Sequence, residues 1–497
     1  MKDSRKFQMH WNNYRYRKET DGIVIEEYEG EDLHVVIPPE IEGIPVKKIA
    51  PEAFSSHGAL IETIEVPETV TEIGDGAFKM CMSLKKLILQ NGVQKIGENV
   101  LLVTAVTEMY LPASVSELVR PWEWGKIALE VAPDNPNYFS DGYGLYEKHP
   151  EGYALVAVRA EDERECYEAT PGTVCVKRHA FEGQMYIQQV VLPEGVQQIE
   201  EEAFESCQAL RRISLPEGLK QIGADAFRCC INLEGMELPA SLETLGEHAL
   251  TDTYGWSPSM NGIQYITVQP ENPYFYNDAY AFYRRGEHGD TLIKYFGKNE
   301  TWKIPEEVTE VGPMALRRAN LREVTIPETV KKIPKDAFQE CNRLECMEIE
   351  ADQVKLYVPE NPVYRKVEIS GLFCLDSDGN LKYDYAAYDA LLQEWSQILI
   401  RCRMAAFRLE YPMQLNSTQK EAYQALISEH LKDLVYDICK RESLKDLEAL
   451  GRAGMITTDN IEDMISWTTE CHRGKLTGYL MQYQSEHLGA DEFDFSL

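Results

Sequence analysis

The feature that most limits what this chain can fold into is a pattern that returns every 22 to 24 residues. IGDGAFKMCMSLKKLILQNGV from Ile73, IEEEAFESCQALRRISLPEGL from Ile199 and IGADAFRCCINLEGMELPASL from Ile222 share I-x-x-x-A-F-x-x-C-x-x-L-x-x-L-x-L-P-x-x-V/L. Ala-Phe pairs stand at 53/54, 77/78, 180/181, 203/204, 226/227 and 337/338, with degenerate copies at Val100-Leu101, Ala249-Leu250 and Ala315-Leu316. A unit this short cannot bury its apolar face alone, so such units stack into a solenoid, each touching only its neighbours. Most of the 497 residues therefore read as an array of about nine coils rather than as separate globular domains.

Each column has a physical reading. The L-x-L segment alternates, which makes it a short strand with one face buried. Its inward pairs are Ile64 and Val66, Leu87 and Leu89, Ile213 and Leu215, and Val324 and Ile326. Proline follows at 67, 112, 193, 216, 239 and 327 and, lacking an N–H, ends the strand. Ala-Phe then occupies a short turn or helix. Glycine follows the Ile column at 74, 97, 223, 246 and 312, but Ala50, Glu200 and Pro334 share that place. Proline fixes φ near −65°, so the column is not left-handed and is expected to tolerate glycine rather than require it. Cys81, Cys207, Cys230 and Cys341 recur at one phase, which reads as buried packing rather than metal or redox use.

These columns resemble the BspA-type leucine-rich repeats of bacterial surface and host-associated proteins, over roughly residues 20 to 385. The opening DGIVIEEYEGEDLHVVIPPEIEGIPVKKIAPEAF is similar to that family's usual start. The expected fold is an α/β solenoid: a right-handed leucine-rich-repeat superhelix with β-hairpin insertions and an all-α C-terminal domain. The divisions are residues 1–48, an N-terminal cap and first coil; 49–383, the repeats; and 384–497, the helical domain. Hairpin islands are expected near 131–158, 268–295 and 358–383, where Asn-Pro-x-Tyr (Asn-Pro-x-Phe in the second) precedes two apolar runs joined by a polar turn.

From about Asp384 the period becomes 3.6. Leu391, Leu392, Trp395, Ile398, Leu399 and Cys402 read as one amphipathic helix. A second, capped by a Thr418/Glu421 box, runs through Tyr423 to Ile438. A short helix follows around Leu444, Leu447 and Leu450, and a last pair holds Ile461 and Met464, then Leu476 and Leu480. This stretch is loosely similar to ankyrin-like helical pairs but lacks Thr-Pro-Leu-His. It caps the open end of the solenoid, binds a partner, or does both.

Function is narrowed mostly by exclusion. A formal charge of −32 repels phosphate backbones and anionic lipid, setting aside nucleic acid and membrane surfaces as main partners. No apolar run is long enough for a transmembrane helix. The N-terminus carries no secretory h-region, and Met1 favours the cytoplasm over a surface protein whose signal has been removed. No Walker loop, Gly-x-Ser-x-Gly or His-Glu-x-x-His occurs, so no catalytic, cofactor-binding or metal residues are assigned and no cofactor is expected. His179 and His248 share a repeat phase and read as bystanders on solvent-facing turns. Asp376-Ser377-Asp378-Gly379 imitates a calcium loop, but Ala387 stands where its glutamate belongs, so a tight turn is expected.

The outward strand positions are the better candidates: Thr63, Glu65, Lys86, Ile88, Glu108, Tyr110, Gln189, Val191, Arg212, Ser214, Glu323 and Thr325. Apolar residues among them suggest a partner site centred on Lys86, Ile88, Tyr110, Val191, Arg212 and Ser214, unless an island covers it. The leading expectation is a non-enzymatic scaffold for an unidentified protein. The alternatives are a secreted or cell-surface adhesin for a host protein, implied by the resemblance, and an enzyme without a visible site.

Overall fold

A computed structural model describes residues 9–121, 127–159, 164–250, 263–358 and 372–489. The chain forms two compact units, Met1–Tyr276 and Asn277–Leu497. Both contain β-solenoid coils, and the second carries the helices, from Tyr385–Glu394 onward. The coils themselves use turns where a leucine-rich repeat can use helix, so the α part of the fold lies in the C-terminal region.

A regular coil contributes two short strands. One is the L-x-L strand, such as Thr63–Val66, which pairs in parallel with Lys86–Leu89 of the next coil. The other is the Val/Ile stretch, such as Glu72–Ile73, which pairs in parallel with Lys95–Ile96. The inward residues Ile64, Val66 and Ile73 are fully buried, as the alternation requires.

The Ala-Phe turn is the third line of pairing. Around Phe204, alternate N–H groups donate to the next coil: Glu202 to the Ala224 carbonyl at 3.0 Å, Phe204 to Ala226 at 2.8 Å and Ser206 to Arg228 at 2.8 Å. Left-handed backbone at Glu202 (φ 56°) and Ser206 (φ 60°) accompanies that geometry. The same two places are left-handed at Glu52, Asn99, His179, Asp225, His248 and Met314, and again at Met80, Val103, Cys229, Arg318 and Glu340. For a side chain with a Cβ this costs about 1–2 kcal/mol per residue, offset by pairing of groups that burial would otherwise strand. Phe rings stack along the same line, 4.5 Å apart for Phe181–Phe204 and 5.1 Å for Phe204–Phe227.

The glycine column is not left-handed at Gly74, Gly97, Gly223, Gly246 or Gly312, as the proline at position 334 implied. The expectation of mere tolerance needs correction. A Cβ on Gly74 stands 2.6 Å from the Pro51 nitrogen, and one on Gly223 stands 2.4 Å from the Glu201 nitrogen. These coils approach too closely for a side chain there, whereas the coils with Ala50, Glu200 or Pro334 do not.

The solenoid makes about 13 turns, more than the Ala-Phe columns mark. Hairpin-bearing coils place Tyr28, Val158 and Tyr295 where Phe stands elsewhere, and their N–H groups donate to Ala53, Ala180 and Ala315 in the same manner. The islands are hairpins, and they are also part of the coils. Gly144–His149 pairs antiparallel with Gly152–Val158, which pairs in parallel with Thr173–Val176. In the second unit Ala281–Arg284, Asp290–Tyr295 and Val308–Val311 repeat the arrangement. Phe373–Leu375 and Leu381–Tyr383 form a third hairpin. The rest of the third island, 359–371, lies outside the described residues.

The Asn-Pro motif, Asn-Pro-x-Tyr from Asn135 and Asn-Pro-x-Phe from Asn272, works through its asparagine. Asn135 is fully buried, and its amide donates to the Pro112 and Val115 carbonyls at 2.9 and 3.0 Å. Its carbonyl accepts from the N–H groups of Asn137 and Tyr138, both at 2.8 Å. All four hydrogen-bonding positions of the side chain are thus used. Asn272 repeats every one of these bonds with Pro239, Leu242, Tyr274 and Phe275.

The helical region differs from expectation at its joints. The first expected helix is two, α1 (Tyr385–Glu394) and α2 (Ile398–Glu410), parted at the extended Trp395. The second is also two, α3 (Ser417–Glu429) and α4 (Leu431–Arg441), parted at His430. The capping box is Asn416 with Gln419, not Thr418 with Glu421. Then come α5 (Leu444–Arg452), α6 (Ile461–Glu470) and α7 (Gly474–His487). The last front strand, Val354–Tyr357, runs antiparallel to Cys346–Ile349. Helix α2 covers it: Arg403 donates to the Tyr357 hydroxyl at 3.1 Å, and the Phe407 ring lies 5.8 Å from that of Tyr357. A sheet edge that would otherwise template pairing is closed in this way.

Two outcomes test this account. Glu52→Gly should leave the melting temperature unchanged or raised, because relief of left-handed strain offsets the added freedom of the unfolded chain; Gly74→Val should lower it, by an overpacking cost of about 1–3 kcal/mol. Asn135→Ala strands buried carbonyls and N–H groups and should cost about 2 kcal/mol or more in a urea melt; a change under about 0.5 kcal/mol contradicts the role given to it.

Candidate binding face

The outward positions of the L-x-L strands form one face of the coils. Register sets Glu65 beside Ile88 on neighbouring strands, and Tyr110 beside Glu130. The structure brings Lys86, Ile88 and Tyr110 together on the walls of a groove of about 790 Å³. Lys86 is exposed, Ile88 half-buried, and Tyr110 46% exposed although its neighbours Met109 and Leu111 are core residues. Val191, Arg212 and Ser214 do not join them: they lie on a separate three-stranded sheet of Cys166–Glu168, Gln189–Val191 and Arg212–Ser214. Arg212 and Ser214 are exposed and Val191 half-buried. The six candidates thus make two patches.

The groove sits at a seam. Lys86–Leu89 is the edge of one sheet and Glu108–Leu111 the edge of another, and the two strands are not paired with each other. The Ala128–Val131 strand, which sequence reasoning passed over, supplies Glu130 to the far wall. Its Ala-Leu-Glu-Val alternation was the available signal. Gly142, in the first island, also lines the groove, so that hairpin borders the face without covering Tyr110.

Other chemistry-bearing groups resolve into structural roles. His179 is not a solvent-facing bystander: its side chain is 15% exposed, and it stands 3.1 Å from both Glu182 and Glu202. Ligand-type atoms of His179, Glu202 and Glu205 all lie within 4.8 Å of one another, close enough for a metal ion. Arg178 already pairs with Glu202, and Arg228 with Glu205, so the carboxylates are neutralised by cations of the chain itself. The Asp376 carboxylate accepts from the N–H groups of Asp378 and Asn380 at 2.9 and 2.8 Å, and Gly379 is left-handed, which makes this stretch a tight turn. Those backbone hydrogen bonds hold its carboxyl below the usual aspartate range.

The cysteine column is buried, and it has a polar function too. The Cys207 and Cys230 thiols donate to the Phe181 and Phe204 carbonyls of the preceding coil, both at 3.0 Å, and Cys341 donates to Leu316 at 2.8 Å. A small apolar side chain with one weak donor meets both demands of the site. Burial pushes the Cys81 and Cys341 thiols up to about 12, far from the thiolate that redox or metal chemistry requires.

The BspA type leucine rich repeat region matches the chain in six copies, over residues 40–120, 175–272 and 290–358. No protein of curated function matches it. Among solved structures, the chain is similar to the pneumococcal vaccine antigen PcpA, at 18% identity, 69% of this chain and 93% of that one, with a TM-score of 0.43. A leucine rich cell surface protein from Faecalibacterium prausnitzii is 19% identical over 69% of this chain and 95% of its own, with a TM-score of 0.32. A leucine-rich repeat protein from Bacteroides ovatus is 16% identical over 69% and 84%, with a TM-score of 0.38. Among the described residues no helix is long and apolar enough to cross a membrane.

Alkylation of the native protein at pH 8 should modify the exposed Cys166 and Cys374 first and leave Cys81, Cys207, Cys230 and Cys341 unlabelled until unfolding. Peptide mass spectrometry follows this directly, and early labelling of the column cysteines contradicts their packing role.

Proposed function

The chain belongs to the BspA-type leucine-rich-repeat proteins, and from that premise we propose that it is a non-enzymatic scaffold that binds another protein through the outward face of its coils. The observation that carries this reading is Tyr110. A large side chain, 46% exposed, stands on a strand whose alternate residues are core, beside Ile88 and inside a concave groove. Hydration of such a surface is unfavourable, and aromatic anchors in grooves supply much of the energy of protein interfaces. The catalytic alternative is weakened by the His179 cluster, whose carboxylates are committed to arginine. The helices α1 and α2 serve the end of the solenoid, which assigns the helical region a capping role within this reading.

Ile88→Asp and Tyr110→Asp should each lower recovery of a bound protein partner by about tenfold or more, equivalent to about 1.4 kcal/mol. Both side chains point outward, so the circular dichroism spectrum and the melting temperature should stay close to those of the parent. Undiminished recovery from folded variants excludes this face as the docking surface.

A further inference from the structure

The groove also indicates what kind of segment it takes. Lys85 is paired with Glu62 at 3.3 Å. Glu108 and Glu130, on the opposite wall, have no ion pair or hydrogen bond among the described residues, and both are exposed. Lys86 is the one lining cation left unpaired among the described residues. Two open carboxylates therefore face one open ammonium, and they do so on a chain whose formal charge is −32. Such a field raises the local concentration of cations and speeds their arrival.

The shape adds a second constraint. The edges of Lys86–Leu89 and Glu108–Leu111 face a common groove and are not paired with each other. Cα atoms of the two strands come within 8 Å of one another, less than the roughly 9.5 Å that a third strand between them needs, so a bound segment lies across their outward side chains. Along an extended segment, side chains alternate between facing the wall and facing away. Ile88 and Tyr110 supply the apolar contact at the centre, and the carboxylates of Glu108 and Glu130 flank Tyr110 on its own strand and the next.

We propose that the groove on the outward face of the Lys86–Leu89 and Glu108–Leu111 strands binds an extended, lysine- or arginine-rich segment of a partner protein. One apolar side chain of the segment packs on Ile88 and Tyr110, and its cations pair with Glu108 and Glu130. This rests on the scaffold reading and narrows it to one partner chemistry.

The probe is a fluorescein-labelled peptide of alternating lysine and leucine, compared with a glutamate–leucine peptide of the same length by anisotropy. The lysine peptide should bind the full chain, weaken several-fold between 50 and about 200 mM salt, and lose about tenfold in affinity to Glu108→Gln/Glu130→Gln. Tyr110→Ala should weaken it without changing its salt dependence. Glu194→Gln, an exposed carboxylate outside the groove lining, should leave binding unchanged. Equal binding of the glutamate peptide, or equal losses in every variant, overturns the proposal. A benzophenone amino acid at position 110 separates the two readings in the source cell. Cross-linking to a protein through a segment that is not basic refutes the cationic assignment and leaves the scaffold intact. No groove-dependent cross-link, together with no peptide binding, removes both.

Discussion

Everything in these coils depends on the backbone of each one finding its partners in the next. A solenoid coil turns its chain through tight corners, and every corner exposes N–H and C=O groups that burial would leave unpaired. Strands meet the requirement on two sides. On the third, the Ala-Phe turn meets it with left-handed residues such as Glu202 and Ser206, whose turn donates along the stack at alternate positions. The column residues then follow as consequences. Alanine keeps the backbones close, Phe fills the space between coils, and the cysteine thiol serves the Phe carbonyl of the preceding coil.

Much of this was legible in the sequence because it repeats. Alternation identified the buried pairs at Ile64/Val66 and Leu87/Leu89, and the phase of Cys81, Cys207, Cys230 and Cys341 identified a buried column. The proline at 334 ruled out a left-handed glycine column. The left-handed column itself was hidden, because Glu52, His179 and Met314 are not residues that announce such a backbone. Its cause is pairing between coils, which no local propensity encodes. Close approach at Gly74 and Gly223 was hidden for the same reason: the clashing atoms belong to another coil. In the helical region, period 3.6 located the apolar faces but ran across the joints at Trp395 and His430, since a break that preserves the apolar stripe leaves no trace in periodicity.

The candidate site was legible only in part. The outward phase of Lys86, Ile88, Tyr110, Val191, Arg212 and Ser214 followed from strand alternation. That three of them share a groove while the other three lie on another sheet depends on where ladders of backbone pairing stop, and these residues carry no mark of it. The same dependence on tertiary placement made His179 read as a bystander: its partners Glu202 and Glu205 lie one coil away, at the same phases as His179 and Glu182. A repeat brings residues together by phase, so a charged column must be read across coils rather than along the chain.

The central claim is that a protein partner docks on this face of the first unit. Hydrogen–deuterium exchange of the chain, alone and with a captured partner, tests it most directly. Slowed exchange concentrated in Lys86–Leu89, Glu108–Leu111 and Ala128–Val131, with α3 to α7 unchanged, is the expected result. Protection confined to the helices, with these strands exchanging as in the free chain, contradicts it.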